Sequence, residues 1–206
     1  MTTKDKELEA RVRRLEDIEA IRKLQYAYCF YIQHWQEDEL IGLFSKSACI
    51  DMGKGGLYQG EAGLKLFFGF SNHYNTNWKK APPEYLHQLM PLCGIIDVEV
   101  DGKTAKGRWY GFGVYAIPTK EKPKALFGTG IWENEFVKED GVWKFKKLCY
   151  SLTFSTPFEE GWIQTPVWKD RPEPRERPAP GPDTGAAPYP SGYIFPYHYK
   201  NPVTGK

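Results

Sequence analysis

Residues 86–117, LHQLMPLCGIIDVEVDGKTAKGRWYGFGVYAI, decide the fold of this 206-residue chain. Asp101-Gly102 separates two β-rich runs within this stretch, and Asp140-Gly141 separates two more. Asp-Gly between such runs is a strong hairpin signal because both turn positions tolerate positive φ. The second half of the chain is therefore predicted to be an antiparallel meander. Its four β-rich runs are 86–100, 104–117, 125–137 and 142–154.

Glycines inside these runs indicate bulges or sharp bends, which would let the sheet curl into a cone. They are Gly107, Gly111, Gly113, Gly128 and Gly130.

The first half of the chain has the periodicity of helices instead. From Asp5 to Trp35, apolar residues recur every three or four positions, which predicts one long amphipathic helix. Residues 37–44 and 60–70 predict a second and a third helix, with short strands in ACIDMG and GLYQG between them. Helices followed by a meander indicate an α+β domain whose helices cover one face of a curved sheet.

Composition excludes several classes of function. The 28 Lys and Arg residues are mixed with 26 Asp and Glu, for a net charge of +2, so no basic face for nucleic acid is expected. The first residues, MTTKDKELEARVRR, lack the apolar core of a secretory signal, and no stretch of about 18 apolar residues follows. A cytoplasmic protein without membrane contact is predicted. The widely spaced cysteines fit buried free thiols in a reducing compartment, and no metal-ligand spacing occurs. They are Cys29, Cys49, Cys93 and Cys149.

The composition shifts near residue 156, since 11 of the 16 prolines lie at or after Pro157. Aromatic residues alternate with prolines that hold the backbone extended and lower the entropy lost on docking. We therefore predict one domain over residues 1–155 and a tail, 156–206, that wraps over this domain or over a neighbouring subunit.

Four segments in order resemble the SnoaL-like branch of the nuclear transport factor 2 (NTF2-like) superfamily, which includes scytalone dehydratase and bile acid 7α-dehydratase. They are LEDIEAIRKLQYAYCFYIQHW, DELIGLFSKSACIDMG, LHQLMPLCGIIDVEVDGKTAKGRWYGFG and ENEFVKEDGVWKFKKL. The resemblance covers roughly residues 15–148. It implies a conical α+β barrel, closed by three N-terminal helices, around one deep apolar cavity. It also implies a homodimer or homotrimer and chemistry without metal or organic cofactor.

The resemblance carries over to particular residues. Tyr28 matches the tyrosine that the dehydratases place on the first helix, and His87 matches their strand histidine. Gln33 stands where they place an aspartate, and an amide cannot act as a base, although it can bind a substrate hydroxyl. From the residues alone, His87 is the best acid or base of the four histidines, and a core histidine bonded to a carbonyl is the alternative.

Aromatic residues are predicted to form the cavity wall and bind substrate. Tyr31 and Trp35 share the helix face of Tyr28 by their spacing. On the strands the candidates are Trp109, Tyr110 and Trp132, together with Lys147 as an inward cation for a developing oxyanion. More often such a cation faces outward.

The leading hypothesis is a cofactor-independent lyase for a bulky aromatic or polycyclic small molecule. It would eliminate water or formaldehyde, for example from lignin-derived diaryl compounds in aromatic compound catabolism. The alternatives are a non-catalytic small-molecule-binding or assembly protein, and a polyketide cyclase or ketosteroid-type isomerase, because this superfamily hosts all of these.

Overall fold

The computed structural model of the protein describes residues 2–74, 84–117, 123–169 and 174–206. Five α-helices lie in these ranges: α1 (Thr3–Gln33), α2 (Glu37–Gly42), α3 (Gly60–Phe68), α4 (Phe70–Tyr74) and α5 (Gly161–Gln164). Six strands accompany them: β1 (Phe44–Asp51), β2 (Leu57–Gln59), β3 (Leu86–Val98), β4 (Thr104–Ile117), β5 (Lys124–Glu139) and β6 (Val142–Pro157).

The predicted α+β class is confirmed, with one correction to the helix count. Four helices precede β3 instead of three, because Gly69 leaves the helical conformation at ψ 100° and ends α3. The chain then resumes as α4 at Phe70.

One curved six-stranded sheet has the strand order β2-β1-β6-β5-β4-β3. The four-stranded meander is antiparallel, as predicted, and β2 pairs antiparallel with β1. The pair β1 and β6 is parallel, which corrects the prediction of an antiparallel sheet. The intervening helices and meander supply the long crossover connection that a parallel pair needs.

The two Asp-Gly turns differ in detail. Between β5 and β6, Asp140 and Gly141 both have positive φ, 49° and 81°, and they form a two-residue loop. Between β3 and β4 only Gly102 does, at 63°. There the carboxylate of Asp101 accepts a hydrogen bond from the backbone N–H of Lys103 at 2.7 Å, which closes a longer loop.

Helix α1 packs on the inner face of the sheet through residues spaced three or four apart. Two buried polar contacts fix its position. The Asn134 amide donates to the Gln25 side-chain oxygen at 2.9 Å and accepts the backbone N–H of Cys149 at 3.0 Å. Asp17 accepts from the indole N–H of Trp143 at 2.8 Å. Unpaired buried polar groups are costly, so these contacts disfavour a shifted position of the helix. The buried residues are Asp17, Ile21, Gln25, Tyr28, Cys29 and Ile32.

The tail runs along the domain by main-chain hydrogen bonds. Ser155 accepts the N–H of Trp168 at 2.8 Å and donates its own N–H to Pro166 at 2.9 Å. Further on, the N–H of Tyr189 donates to the carbonyl of Thr153 at 2.8 Å. In this single chain the tail therefore lies on its own domain at these points, and its docking on a neighbouring subunit stays a prediction.

A cluster of charged groups on the outer face of the sheet also holds the tail. The guanidinium of Arg108 lies 2.8 Å from the Glu133 carboxylate and donates to the carbonyl of Pro196 at 2.9 Å. It also lies 4.4 Å from the centre of the Tyr197 ring. The imidazole of His198 contacts the second oxygen of Glu133. Residues 196–198 of the tail thus contact charged side chains on two neighbouring strands, Arg108 on β4 and Glu133 on β5.

Within the described ranges, no helix has both the length and the apolar character that crossing a membrane requires.

Candidate active site

A cavity of about 200 Å³ lies between α1, the helices α3 and α4, and the inner face of the sheet. Its wall combines large apolar side chains with hydroxyl and imidazole groups. The lining residues are Tyr28, Ile32, Trp35, Met52, Phe67, His73, Tyr85, Leu86, His87, Leu89, Tyr115, Leu126, Trp132, Leu148, Tyr150, Leu152, Ser155 and Trp168.

Tyr28 reaches this cavity from the C-terminal part of α1. Its side chain is 4% exposed, and its ring makes edge contacts with Trp132 at 6.3 Å and Phe145 at 5.8 Å. Burial raises the pKa of Tyr28 far above its ordinary value, and the neighbouring Cys29 and Tyr115 raise it further. The phenol therefore stays protonated, so that it can donate a hydrogen bond to a substrate oxygen.

His87 reaches the same cavity from β3. It is the cross-strand partner of Tyr115 on β4, and the two ring centres are 4.9 Å apart. The ring of Trp35 lies 5.6 Å away at a shallow angle of 33°. The rings of Tyr115 and Trp35 therefore lie next to the imidazole, which borders the cavity.

On the sheet side of the cavity, aromatic rings lie directly over glycines of the strands. A Cβ atom on Gly113 would lie 2.1 Å from the Tyr115 hydroxyl, and one on Gly130 would lie 2.4 Å from the Tyr150 ring. A Cβ on Gly111 would meet the Trp132 ring at 2.9 Å. Any larger residue would lift these rings off the strands, since contacts this short do not occur. The lack of a side chain at these glycines therefore leaves space for the aromatic rings that line the sheet side of the cavity.

No Asp, Glu, Lys or Arg occurs among the described residues that line the cavity. The polar groups there are neutral hydroxyls and two imidazoles, those of His73 and His87. An arrangement of this kind can donate hydrogen bonds and move a proton through an imidazole. It offers no fixed charge to neutralise an ionic substrate group.

Four of the nine predicted site residues line the cavity: Tyr28, Trp35, His87 and Trp132. Tyr28 and Ile32 lie on one face of α1 by their spacing of four, whereas Trp35 lies beyond the end of the helix, with φ 49°. Tyr31 lies one step around the helix and packs against the core. Gln33, the last residue of α1, is half-buried and outside the cavity lining. Neither Tyr31 nor Gln33 lines the cavity.

The other three predicted residues lie elsewhere on the sheet. Trp109 faces inward but is buried in the core against Phe136, with ring centres 6.1 Å apart. Tyr110 follows it on the opposite face and is 55% exposed. Lys147 also lies outside the cavity lining, 2.9 Å from Asp51. Burial acts to lower the pKa of Lys147, but the hydrogen bond and charge of Asp51 raise it above its ordinary value.

Fourteen of the eighteen described lining residues were not among the predicted site residues, including His73, Tyr85, Tyr115 and Trp168. His73 lies in α4, with its ring 5.5 Å from that of Trp35 and its Nε2 atom 3.0 Å from the carbonyl oxygen of Phe67. Tyr115 was detectable in principle, because the hairpin register pairs it with His87. The tail residue Trp168 had no local signal, since only the bridge between Ser155 and Val167 brings it to the cavity.

Within the described residues, no group of three or more His, Cys, Asp or Glu side chains is arranged to hold a metal ion.

Comparisons with known proteins place this arrangement in context. The chain shares 18% identity and a TM-score of 0.60 with a scytalone dehydratase-like protein from Novosphingobium aromaticivorans, covering 81% of this chain and 98% of that one. A hexachlorocyclohexane dehydrochlorinase, LinA-type3 from Novosphingobium barchaimii, gives 21% identity and a TM-score of 0.58, with 72% and 94% covered. An NTF2-like protein with a cystatin-like fold from N. aromaticivorans gives 17% and 0.53, with 70% and 87% covered.

At these identities the solved structures establish the fold alone. No curated protein matches the sequence significantly. The sequence model of the SnoaL-like domain, however, matches residues 13–148, which include α1 from Arg13 onward, the whole of β5 and the two candidate residues Tyr28 and His87. The chain therefore belongs to the SnoaL-like domain family of the NTF2-like superfamily.

Proposed function

We propose that this protein is a cofactor-independent lyase that eliminates water or formaldehyde from a bulky aromatic or polycyclic small molecule. The observation that carries the proposal is the single cavity into which α1 brings a protonated tyrosine, Tyr28, and β3 brings an imidazole, His87. Family membership supports small-molecule chemistry. The dehydratase-like and dehydrochlorinase neighbours are named for eliminations, which agrees with this class of reaction.

For loss of water, neutral His87 takes a proton from the carbon next to a substrate carbonyl. The C–H electron pair moves onto the carbonyl oxygen, and the hydrogen bond from Tyr28 stabilises this enolate. The enolate then reforms the carbonyl, a carbon–carbon double bond appears, and the C–O bond to the hydroxyl breaks. The departing hydroxide takes the proton from the His87 imidazolium and leaves as water.

For loss of formaldehyde, His87 takes the proton of a hydroxymethyl group instead. The O–H electron pair forms the C=O bond of formaldehyde, and the carbon–carbon bond to the rest of the substrate breaks. Its electron pair forms a double bond while a hydroxyl leaves from the adjacent carbon. That hydroxide takes the proton back from the imidazolium as water. His87 ends both sequences neutral, so no oxidant or reductant is needed.

The cavity lining also bears on the substrate class. Flat rings over Gly111, Gly113 and Gly130 favour stacking with a flat aromatic group. The lack of charged side chains among the described lining residues favours a substrate whose buried part carries no charge, since an unpaired buried ion is costly.

Size sets a further condition. A cavity of about 200 Å³ exceeds the roughly 150 Å³ that suffices for benzene, so it fits one substituted aromatic ring. A second ring requires part of the wall to move. Trp168 is the wall residue best suited to this, because main-chain hydrogen bonds to one residue, Ser155, attach its segment to the sheet.

A substrate screen tests the proposal directly. Purified protein is incubated, without added cofactor, with neutral diaryl, steroid and polyketide-type alcohols, with and without a hydroxymethyl group, and products are followed by mass. We expect a mass loss of water, or of formaldehyde together with water, from an aromatic member of the panel, unchanged after exhaustive chelation. Tight binding of panel members with no product from any of them would favour the non-catalytic alternative. A product of unchanged mass would favour the cyclase or isomerase.

A further inference from the structure

The amino-terminal part of α1 extends beyond the domain. Every residue from Thr3 to Glu16 is exposed, and the first buried residue of the helix is Asp17. At 1.5 Å per residue this segment is about 20 Å long. A helical segment of this length has little stability in water without packing, so it needs a surface to pack against.

Three large apolar side chains form a stripe along the segment. Leu8, Val12 and Leu15 are 58%, 46% and 66% exposed. Their spacing of four and then three residues places them on one face of the helix, at the d, a and d positions of a heptad repeat. A β-branched residue at a with leucine at d is the combination that favours two parallel strands.

The charges beside the stripe agree with a parallel pair of identical helices. In this register Lys4 and Arg11 occupy g positions, whereas Glu9 and Glu16 occupy e positions. In a parallel pair each g residue faces the e residue five positions later on the partner, so lysine faces glutamate and arginine faces glutamate. In an antiparallel pair g faces g and e faces e, so that only like charges would meet.

One of these groups has a contact within its own helix. Glu9 lies 2.5 Å from Arg13, but both side chains are largely exposed. Exposed pairs of this kind contribute little, so Glu9 is available to a partner helix at small cost.

We infer that residues 4–16 form a short parallel coiled coil with the same segment of a second copy of this chain. The partner helix belongs to a second copy of this chain, because one sequence supplies both the basic g positions and the acidic e positions. This interface lies outside the cavity and does not depend on the proposed function. It assigns a specific surface to the predicted homo-oligomer.

Site-directed disulfide formation tests both the contact and its direction. Leu15→Cys lies in the seam and meets its own copy only in a parallel pair, whereas Arg14→Cys, one residue earlier, points away from the seam. Both are made with Cys93→Ser, which removes the exposed native thiol. Under mild oxidation we expect Leu15→Cys to cross-link at least about tenfold faster than Arg14→Cys.

Equal rates for the two variants would overturn the proposal. Cross-linking that appears only when Leu8→Cys and Leu15→Cys proteins are mixed would overturn the parallel direction. Because all these positions are exposed, unchanged thermal unfolding of the reduced variants shows that the domain itself is intact.

Charge exchange gives a second readout. The double variant Glu9→Lys/Glu16→Lys and the double variant Lys4→Glu/Arg11→Glu each place like charges across the pair. We expect each to self-associate about tenfold more weakly than the native chain in sedimentation equilibrium. A mixture of the two regains opposite pairs and should associate as a heterodimer. No difference between the mixture and its separate components would contradict the assigned register.

Discussion

The inner and outer faces of β4 and β5 are made by alternating residues of the same strands, yet they have opposite chemistry. Inward, Tyr115 and Trp132 lie flat over glycines and border a cavity whose described lining carries no charged side chain. Outward, Arg108 and Glu133 form an ionic cluster that holds the tail. On these two strands, charge therefore fixes structure on the outer face, whereas the candidate chemistry on the inner face relies on neutral donors and an imidazole.

Tyr28→Phe tests the inner face and has the largest expected effect of the changes other than loss of the His87 imidazole. The change removes one hydroxyl, which is the proposed donor to the enolate oxygen. We expect the rate of elimination to fall about 10²- to 10³-fold, as for the loss of one oxyanion donor. The measurement is the single-turnover rate on a substrate identified in the screen. Tyr26→Phe is the matched control, because Tyr26 lies on the same helix and is 42% exposed. Equal rates for both variants would remove Tyr28 from the mechanism.

Arg108→Met tests the outer face. The variant removes the guanidinium from Glu133, which keeps its contact with His198, and loses the bond to the Pro196 carbonyl. We expect the free energy of unfolding to fall by about 3 kcal/mol, since breaking a largely buried ion pair leaves an uncompensated charge. The end of the tail should become sensitive to proteolysis, while elimination by the intact barrel persists. Lys106→Met, two residues earlier on the same strand and exposed, is the control for denaturant unfolding.

Gly113→Ala tests whether the position of the Tyr115 ring in the cavity wall depends on the lack of a side chain at Gly113. The added methyl group would overlap the Tyr115 hydroxyl and force that ring away from its position beside His87. We expect a loss of about 1–3 kcal/mol in unfolding free energy, as for other overpacked sites, together with weaker substrate binding. Gly42→Ala provides the comparison, because nothing lies within 4 Å of its added carbon. Wild-type binding and stability for Gly113→Ala would show that Tyr115 adapts freely.

Alkaline pH tests the preference of the interior for neutral groups, with the smallest expected effect. Burial raises the pKa of the Cys29 thiol from 9.0 to about 12. Between these values the unfolded chain has released this proton and the folded chain has kept it. Stability from this group is therefore complete below pH 9 and declines above it, by about 1.4 kcal/mol per pH unit. Cys29→Ala should flatten this decline in denaturant titrations. An unchanged slope would mean that the thiolate is tolerated in the core.

The fold was largely predictable because its signals are local. The β-rich runs and the Asp140-Gly141 turn fix the meander, and the spacing of apolar residues fixes α1. The parallel pairing of β1 with β6 was not predictable in this way, because it depends on a connection through most of the domain. Gly69 carried no signal strong enough to separate α4 from α3.

The site was predictable only in part, for a physical reason. Tyr28, Trp35 and His87 follow from helical spacing and from the family resemblance. Assigning strand residues to the cavity requires the inward face of each strand, and a shift of one position reverses it. Tyr110 faces outward and Tyr115 inward on the same strand for this reason. Trp168 arrives from a distant segment, which no local pattern predicts.

We propose that elimination proceeds by proton transfer through His87 in a cavity whose described lining has no charged side chain. The most direct measurement is the single-turnover rate of His87→Asn beside that of His34→Asn, an exposed histidine at the end of α1. The account predicts a fall of about 10²- to 10⁴-fold for His87→Asn, the usual contribution of a general base, with product binding retained and with His34→Asn unchanged. A His87→Asn protein that turns over its substrate at the native rate would contradict it.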